Sequence, residues 1–131
     1  MKIKIPIWIN LLQVVILGIL TFQTYACYLN PKSIYPDFVF DANTSKMVYT
    51  LASRNAVMMV ISLIALVRQD ARFYSFAFLI HSLRELQDMF IVPLTGGGLV
   101  VFFVFLIVFV IPEITAYFKL NKIANETGVM Q

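Results

Sequence analysis

Four long apolar segments are the feature that most limits what this chain can fold into. They cover residues 5–28, 48–67, 73–94 and 98–118. Each is about 20 residues long, which is enough for an α-helix to cross a hydrocarbon core of about 30 Å. The chain is 60% hydrophobic and 13% charged, whereas soluble domains are about 45–50% apolar and about 25% charged. The sequence therefore predicts an all-α fold, a transmembrane four-helix bundle.

The basic residues predict how the bundle is oriented. If the four helices alternate in direction, one side of the membrane receives six basic residues: Lys2, Lys4, Arg68, Arg72, Lys119 and Lys122. The other side keeps Lys32 and Lys46, which are offset by Asp37 and Asp41. Positive charge concentrates in cytoplasmic loops. We therefore expect a multi-pass protein with both termini in the cytoplasm.

A single domain over residues 1–131 is expected, with an outer loop at 29–47 and a polar tail at 119–131. The start of the chain also resembles a signal peptide, but Thr24 and Tyr25 stand where a cleavage site needs small or aliphatic residues. The first segment is therefore interpreted as a membrane helix. A tight turn at 95–98 and interfacial positions for Phe38 and Phe40 are expected on the outer side.

The residue inventory argues against several classes of function. The few basic residues form no patch with interleaved aromatics, so nucleic acid is not expected as a partner. Cys27 is the only cysteine and His81 the only histidine, which leaves no disulfide, no thiolate metal site and no bis-histidine haem site within one chain. We expect no metal and no cofactor.

The third apolar segment contains a cluster of ionisable residues, and this is the candidate site. His81, Arg84, Glu85 and Asp88 fall within an arc of about 100° on a helix. Each such group costs about 2.5–3.5 kcal/mol at the centre of a membrane helix. The stripe should therefore face the interior of the bundle, with Arg84 and Asp88 paired across one turn.

The second segment supplies further polar residues that belong to the predicted cluster. Arg54 lies about 10 Å below the outer end of its helix, a depth similar to that of Asp88. Arg54 is therefore expected to pair with Asp88 or Glu85, so that two arginines balance two carboxylates. Asn55 is expected to hydrogen-bond either Arg84 or a neighbouring helix.

The fourth segment is interrupted near its cytoplasmic end. Pro112 removes one backbone hydrogen bond and is expected to kink the helix. Glu113 follows at about 8 Å from the inner boundary, where it either pairs with Lys119 or Lys4 or points inward.

Part of the sequence resembles small four-helix bacterial membrane proteins related to the DoxX-like group. The resemblance covers roughly residues 48–100 and is carried by Ser53-Arg54-Asn55, by the charged turn at 68–72 and by Asp88 before a glycine-rich turn. Members often carry a histidine after that turn, where this chain has Leu99 and Val100. The resemblance implies a bacterial inner or plasma membrane but no particular chemistry. The His81–Glu85 pair is also similar to sites in sterol isomerase-like membrane proteins.

Three classes of function remain open beside a purely structural role for the cluster. The first, which the residues favour, is a non-enzymatic accessory or binding protein. Its candidate partners are a lipid, a hydrophobic small molecule, a second copy of the chain or another membrane subunit. The second is a membrane enzyme with His81 and Glu85 as an acid/base pair. The third is a proton or ion relay that continues to Glu113.

Overall fold

A computed structural model describes residues 5–37, 39, 41–94 and 98–128. Its elements are α1 (Ile7–Leu29), a 3-10 turn (Pro31–Ser33), α2 (Ala42–Arg68), α3 (Ala71–Leu94), α4 (Leu99–Phe105), a π-helical segment (Leu106–Val110) and α5 (Ile111–Gly128). The last three follow one another without a break, so the described chain contains four helical rods and is all-α, as the sequence predicts.

Among the described residues, three helices are long and apolar enough to cross a membrane: Ile7–Leu29, Ala42–Arg68 and Leu99–Glu126. The helix α3 is of similar length, but it carries Arg84, Glu85 and Asp88 near its middle. The prediction that α3 also crosses the membrane, and the prediction that both termini are cytoplasmic, stay predictions.

Two compact units can be distinguished. The N-terminal unit is Asn10–Val67, and the C-terminal unit is Arg68–Gln131 together with Met1–Ile9. The prediction of a single domain stays a prediction.

In the N-terminal unit, the helices α1 and α2 bury residues at helical spacing. On α1 the buried stripe within this unit is Gln13, Ile16, Leu20 and Cys27. On α2 the stripe is Val48, Ala52, Asn55, Met58, Ser62 and Ala65. Cys27, Val48 and Ala52 form a small apolar cluster against which Ile34 and Leu51 pack. The loop after α1 is therefore tied to the beginning of α2.

In the C-terminal unit, α3 packs mainly on α5. The buried positions of α3 repeat every three or four residues: Ala71, Tyr74, Phe78, His81, Glu85 and Met89. Those of α5 are Glu113, Ala116, Leu120 and Ala124. Small alanines let the two backbones approach closely. The polar residues His81, Glu85 and Glu113 therefore lie in the same buried stripes through which α3 and α5 pack.

The π-helical segment lies directly before Pro112, where the sequence predicts a kink. The N–H of Ile111 donates to the carbonyl of Leu106, five residues back. Proline has no N–H, and its ring collides with the carbonyl four residues earlier. A widened turn relieves that collision, which explains why a π segment stands here.

Two aspartates fix the starts of α2 and α3. Asp41 Oδ1 accepts hydrogen bonds from the backbone N–H groups of Asn43 and Thr44, at 2.8 and 2.7 Å. Thr44 Oγ1 accepts in return from the Asp41 N–H at 3.2 Å. Asp70 Oδ1 accepts from the Phe73 N–H at 2.8 Å. Such caps satisfy the orphan donors of a helix N-terminus.

Several expected features differ from the structure or lie outside it. The helix α2 begins at Ala42 rather than at 48, and α5 continues to Gly128 rather than ending at 118. The predicted turn at 95–98 lies, except for Gly98, outside the described residues, as do Phe38 and Phe40.

The Asp41 cap predicts a pH dependence at the start of α2. The hydrogen bonds from Thr44, and then that from Asn43, hold the pKa of Asp41 below its ordinary value. When folding lowers the pKa of a carboxyl group, its charged form stabilises the folded state. This stabilisation is complete above the unfolded-state pKa and is lost as the pH falls through the folded-state pKa. The protection factors of the backbone amides in the first turn of α2, which correct for the intrinsic pH dependence of exchange, should therefore fall at low pH. The variant Asp41→Asn keeps a capping side chain and should remove this pH dependence, whereas an unchanged profile would contradict the assignment.

Candidate functional site

The candidate site is a group of polar side chains on the facing stripes of α3 and α5. His81 is fully buried, Glu85 is 6% exposed and Glu113 is 1% exposed. The same buried stripes contain Tyr74 and Phe78 on α3 and alanines on α5. Periodicity therefore places them at the helix–helix contact.

Arg84 supplies the positive charge of this group. Its guanidinium contacts the Glu85 carboxylate, and its Nε lies 3.8 Å from Asp88 Oδ2 across one turn. The Arg84 and Glu85 side chains keep 11% and 8% of their surface exposed, and that of Asp88 keeps 29%. His81 also lies within electrostatic range of Arg84. Arg84 thus interacts with the three other members of the predicted stripe.

Glu113 joins this group from α5. Glu85 and Arg84 are the charged side chains that act on it electrostatically. Its Oε2 atom is buried and has no hydrogen-bond partner among the described residues. The sequence offered Lys119 or Lys4 as partners, but Lys119 is exposed and Lys4 lies outside the described residues. The sequence linked Glu113 to Glu85 only through the relay hypothesis, because their separation depends on how far α5 is offset along α3.

Among the described residues of the C-terminal unit, the charges that lie together do not balance. One arginine stands beside three carboxyl groups, those of Glu85, Asp88 and Glu113. A buried carboxylate that is not fully paired is costly. The sequence predicts that Arg54 is the second cation and pairs with Asp88 or Glu85. That pairing stays a prediction.

Within the N-terminal unit, Asn55 takes one of its two expected roles. Its Nδ2 donates to Gln23 Oε1 on α1 at 3.2 Å, so it bonds a neighbouring helix. Gln13 behaves differently, because it is fully buried on α1 and neither amide atom has a hydrogen-bond partner among the described residues.

The arrangement limits the chemistry available at the site. No cluster of three or more His, Cys, Asp or Glu side chains among the described residues could hold a metal ion. His81 and Glu85 lie one turn apart, as an acid/base pair would require, but the Glu85 carboxylate contacts Arg84. This contact favours a carboxylate that is held in place over one that accepts protons from a substrate.

Comparisons with protein-family models, with curated proteins and with solved structures found no significant match. They show neither the DoxX-like resemblance nor the isomerase-like one. The site is therefore interpreted from its geometry.

The contacts of Arg84 predict that this residue is needed for stability. Removing one partner of an enclosed pair strands the other and costs about 3–5 kcal/mol. The variant Arg84→Ala should therefore lower the thermal midpoint of the detergent-solubilised protein strongly.

A matched control is Lys122→Ala, which removes the cation of an exposed pair with Glu126 on α5. Exposed pairs contribute about 0.2–1 kcal/mol, so this midpoint should hardly move. Equal midpoints for the two variants would show that Arg84 does not stabilise the cluster.

Proposed function

We propose that this protein is a non-enzymatic, multi-pass membrane protein that binds a small ligand at the cluster of Arg84, Glu85 and Glu113. Three helices suited to crossing a membrane support the location. The concentration of basic residues at 68–72 and 119–122 supports a fourth crossing by α3 and cytoplasmic termini. We also propose that the membrane in which the protein resides is a bacterial inner or plasma membrane.

The single observation that carries this function is the buried Oε2 atom of Glu113, which has no partner among the described residues. Leaving a buried acceptor unsatisfied costs about 1–3 kcal/mol, and more for a charged group. A ligand that donates a hydrogen bond to this oxygen would recover that cost. The complementary ligand is a lipid or hydrophobic small molecule that carries a hydroxyl or a protonated amine.

A proton relay is the second candidate, and the same atom favours it. A proton on Glu113 would remove its buried negative charge, and Glu85 is a second carboxyl group within electrostatic range of it. The enzyme interpretation with His81 and Glu85 is less well supported, since Glu85 is held by Arg84.

Native mass spectrometry of protein released gently from its own membrane tests the binding proposal. A reproducible small molecule should accompany the wild type and be lost in Glu113→Gln, because the amide no longer offers two acceptor oxygens. The control Glu126→Gln makes the same change at an exposed position of α5 and should retain the molecule. Wild-type protein without a small molecule would contradict ligand binding.

Proton flux into liposomes that contain a pH-sensitive dye separates the two candidates. A relay predicts flux that Glu113→Gln abolishes and Glu126→Gln leaves intact. A binding protein predicts no flux above that of empty liposomes.

The orientation is tested by accessibility of single cysteines in a Cys27→Ala background. Lys46→Cys should react with a membrane-impermeant maleimide on intact cells, and Lys122→Cys only after permeabilisation. Labelling of both positions on intact cells would mean that α3 does not cross the membrane, and labelling of Lys122→Cys alone would mean that the orientation is reversed.

A further inference from the structure

A cavity of about 670 Å³ lies in the N-terminal unit, apart from the cluster described above. It is lined by Ile34, Tyr35, Pro36, Asp37, Val39, Thr44, Met47, Val48 and Leu51. Its volume falls within the range of roughly 300–1,000 Å³ that is typical of small-molecule sites.

Two elements hold the walls of the cavity in place. On one side, Ile34 packs against the apolar cluster that includes Val48. On the other, the Thr44 hydroxyl donates to the Val39 carbonyl at 2.6 Å, which ties the loop to the first turn of α2. The Asp41 cap fixes that same turn. Both ends of the loop segment that lines the cavity, at Ile34 and Val39, are therefore anchored.

The chemistry of the lining is apolar with one charge. Tyr35, Val39 and Met47 are 41%, 69% and 72% exposed, so apolar and aromatic surface is open to a ligand. Asp37 is the charged residue of the described lining, and it forms no ion pair with another described residue. Lys32 and Lys46 lie nearby in sequence but do not line the cavity.

The apolar lining and the Asp37 carboxylate together favour a ligand with a positive charge. An anion would be repelled by the Asp37 carboxylate, and a neutral apolar molecule would gain nothing from it. An organic cation gains from the carboxylate, while its apolar body contacts Met47 and Leu51. The ring of Tyr35 adds an aromatic face, to which cations are attracted.

The position in the chain fits an amphiphilic ligand. The helix α1 ends at Leu29 and α2 begins at Ala42, and both helices are candidate membrane spans. The loop between them therefore belongs to the membrane boundary, where amphiphiles accumulate. We propose that this cavity binds an amphiphilic organic cation through Asp37 and its apolar walls.

The test compares two probes of nearly equal shape and opposite charge, tetraphenylphosphonium and tetraphenylborate. Binding is measured by calorimetry on the full-length protein in nanodiscs of zwitterionic lipid, with empty nanodiscs subtracted. The cation should bind saturably and the anion should not. Asp37→Asn should weaken cation binding by about three- to tenfold.

Two variants make the result specific to this cavity. Asp70→Asn changes a loop carboxylate that neither lines the cavity nor holds its walls, because it caps α3, and it should bind like the wild type. Glu113→Gln should also bind like the wild type, because its carboxylate belongs to the other unit. Equal binding of both probes, or unchanged cation binding by Asp37→Asn, would overturn the proposal. Loss of cation binding in Glu113→Gln would also overturn it and would place the cation at the α3–α5 cluster.

Discussion

The cost of enclosing ionisable side chains among apolar ones is the constraint on which the C-terminal unit depends. His81, Glu85 and Glu113 occupy the same stripes that pack α3 on α5, so they cannot leave the contact without separating the helices. Arg84 offsets part of the cost through Glu85 and Asp88. The remaining cost falls on Glu113, whose Oε2 atom has no described partner. The surface through which α3 packs on α5 is therefore also the surface that carries the buried polar side chains.

Helix boundaries were predictable where the helix coincides with an apolar segment and not where polar turns extend it. The predicted starts of the first and third helices, at 5 and 73, lie two residues from the observed Ile7 and Ala71. The start of α2 was missed because polar residues precede Val48, while Asp41 and Thr44 cap the helix at Ala42. The extension of α5 was missed because its last turns are polar in composition. Leu120 and Ala124 are nevertheless buried at helical spacing, which continues the contact stripe.

The candidate site was predictable in part for a related reason. The period of 3.6 residues puts His81, Glu85 and Asp88 on one side of α3 whatever surrounds them. Proximity between Glu113 and Glu85 depends instead on the axial offset of two helices, which no local pattern specifies. For the same reason, the sequence left two partners open for Asn55, either Arg84 or a neighbouring helix. The structure shows a hydrogen bond to Gln23 on the neighbouring α1. Pro112 predicts an irregular backbone, but a proline in the sequence does not by itself distinguish a kink from a widened turn.

The π-helical segment has a consequence for which changes this chain can tolerate. It places one residue more in a turn than an α-helix does, which rotates the preceding α4 by roughly 100° relative to α5. A deletion of one residue within Leu106–Val110 would return that turn to α-helical geometry and present a different side of α4. Ile107 and Val108 are exposed and apolar, so exchanging one apolar type for another at these two positions changes little. There the number of residues is constrained more tightly than their identity.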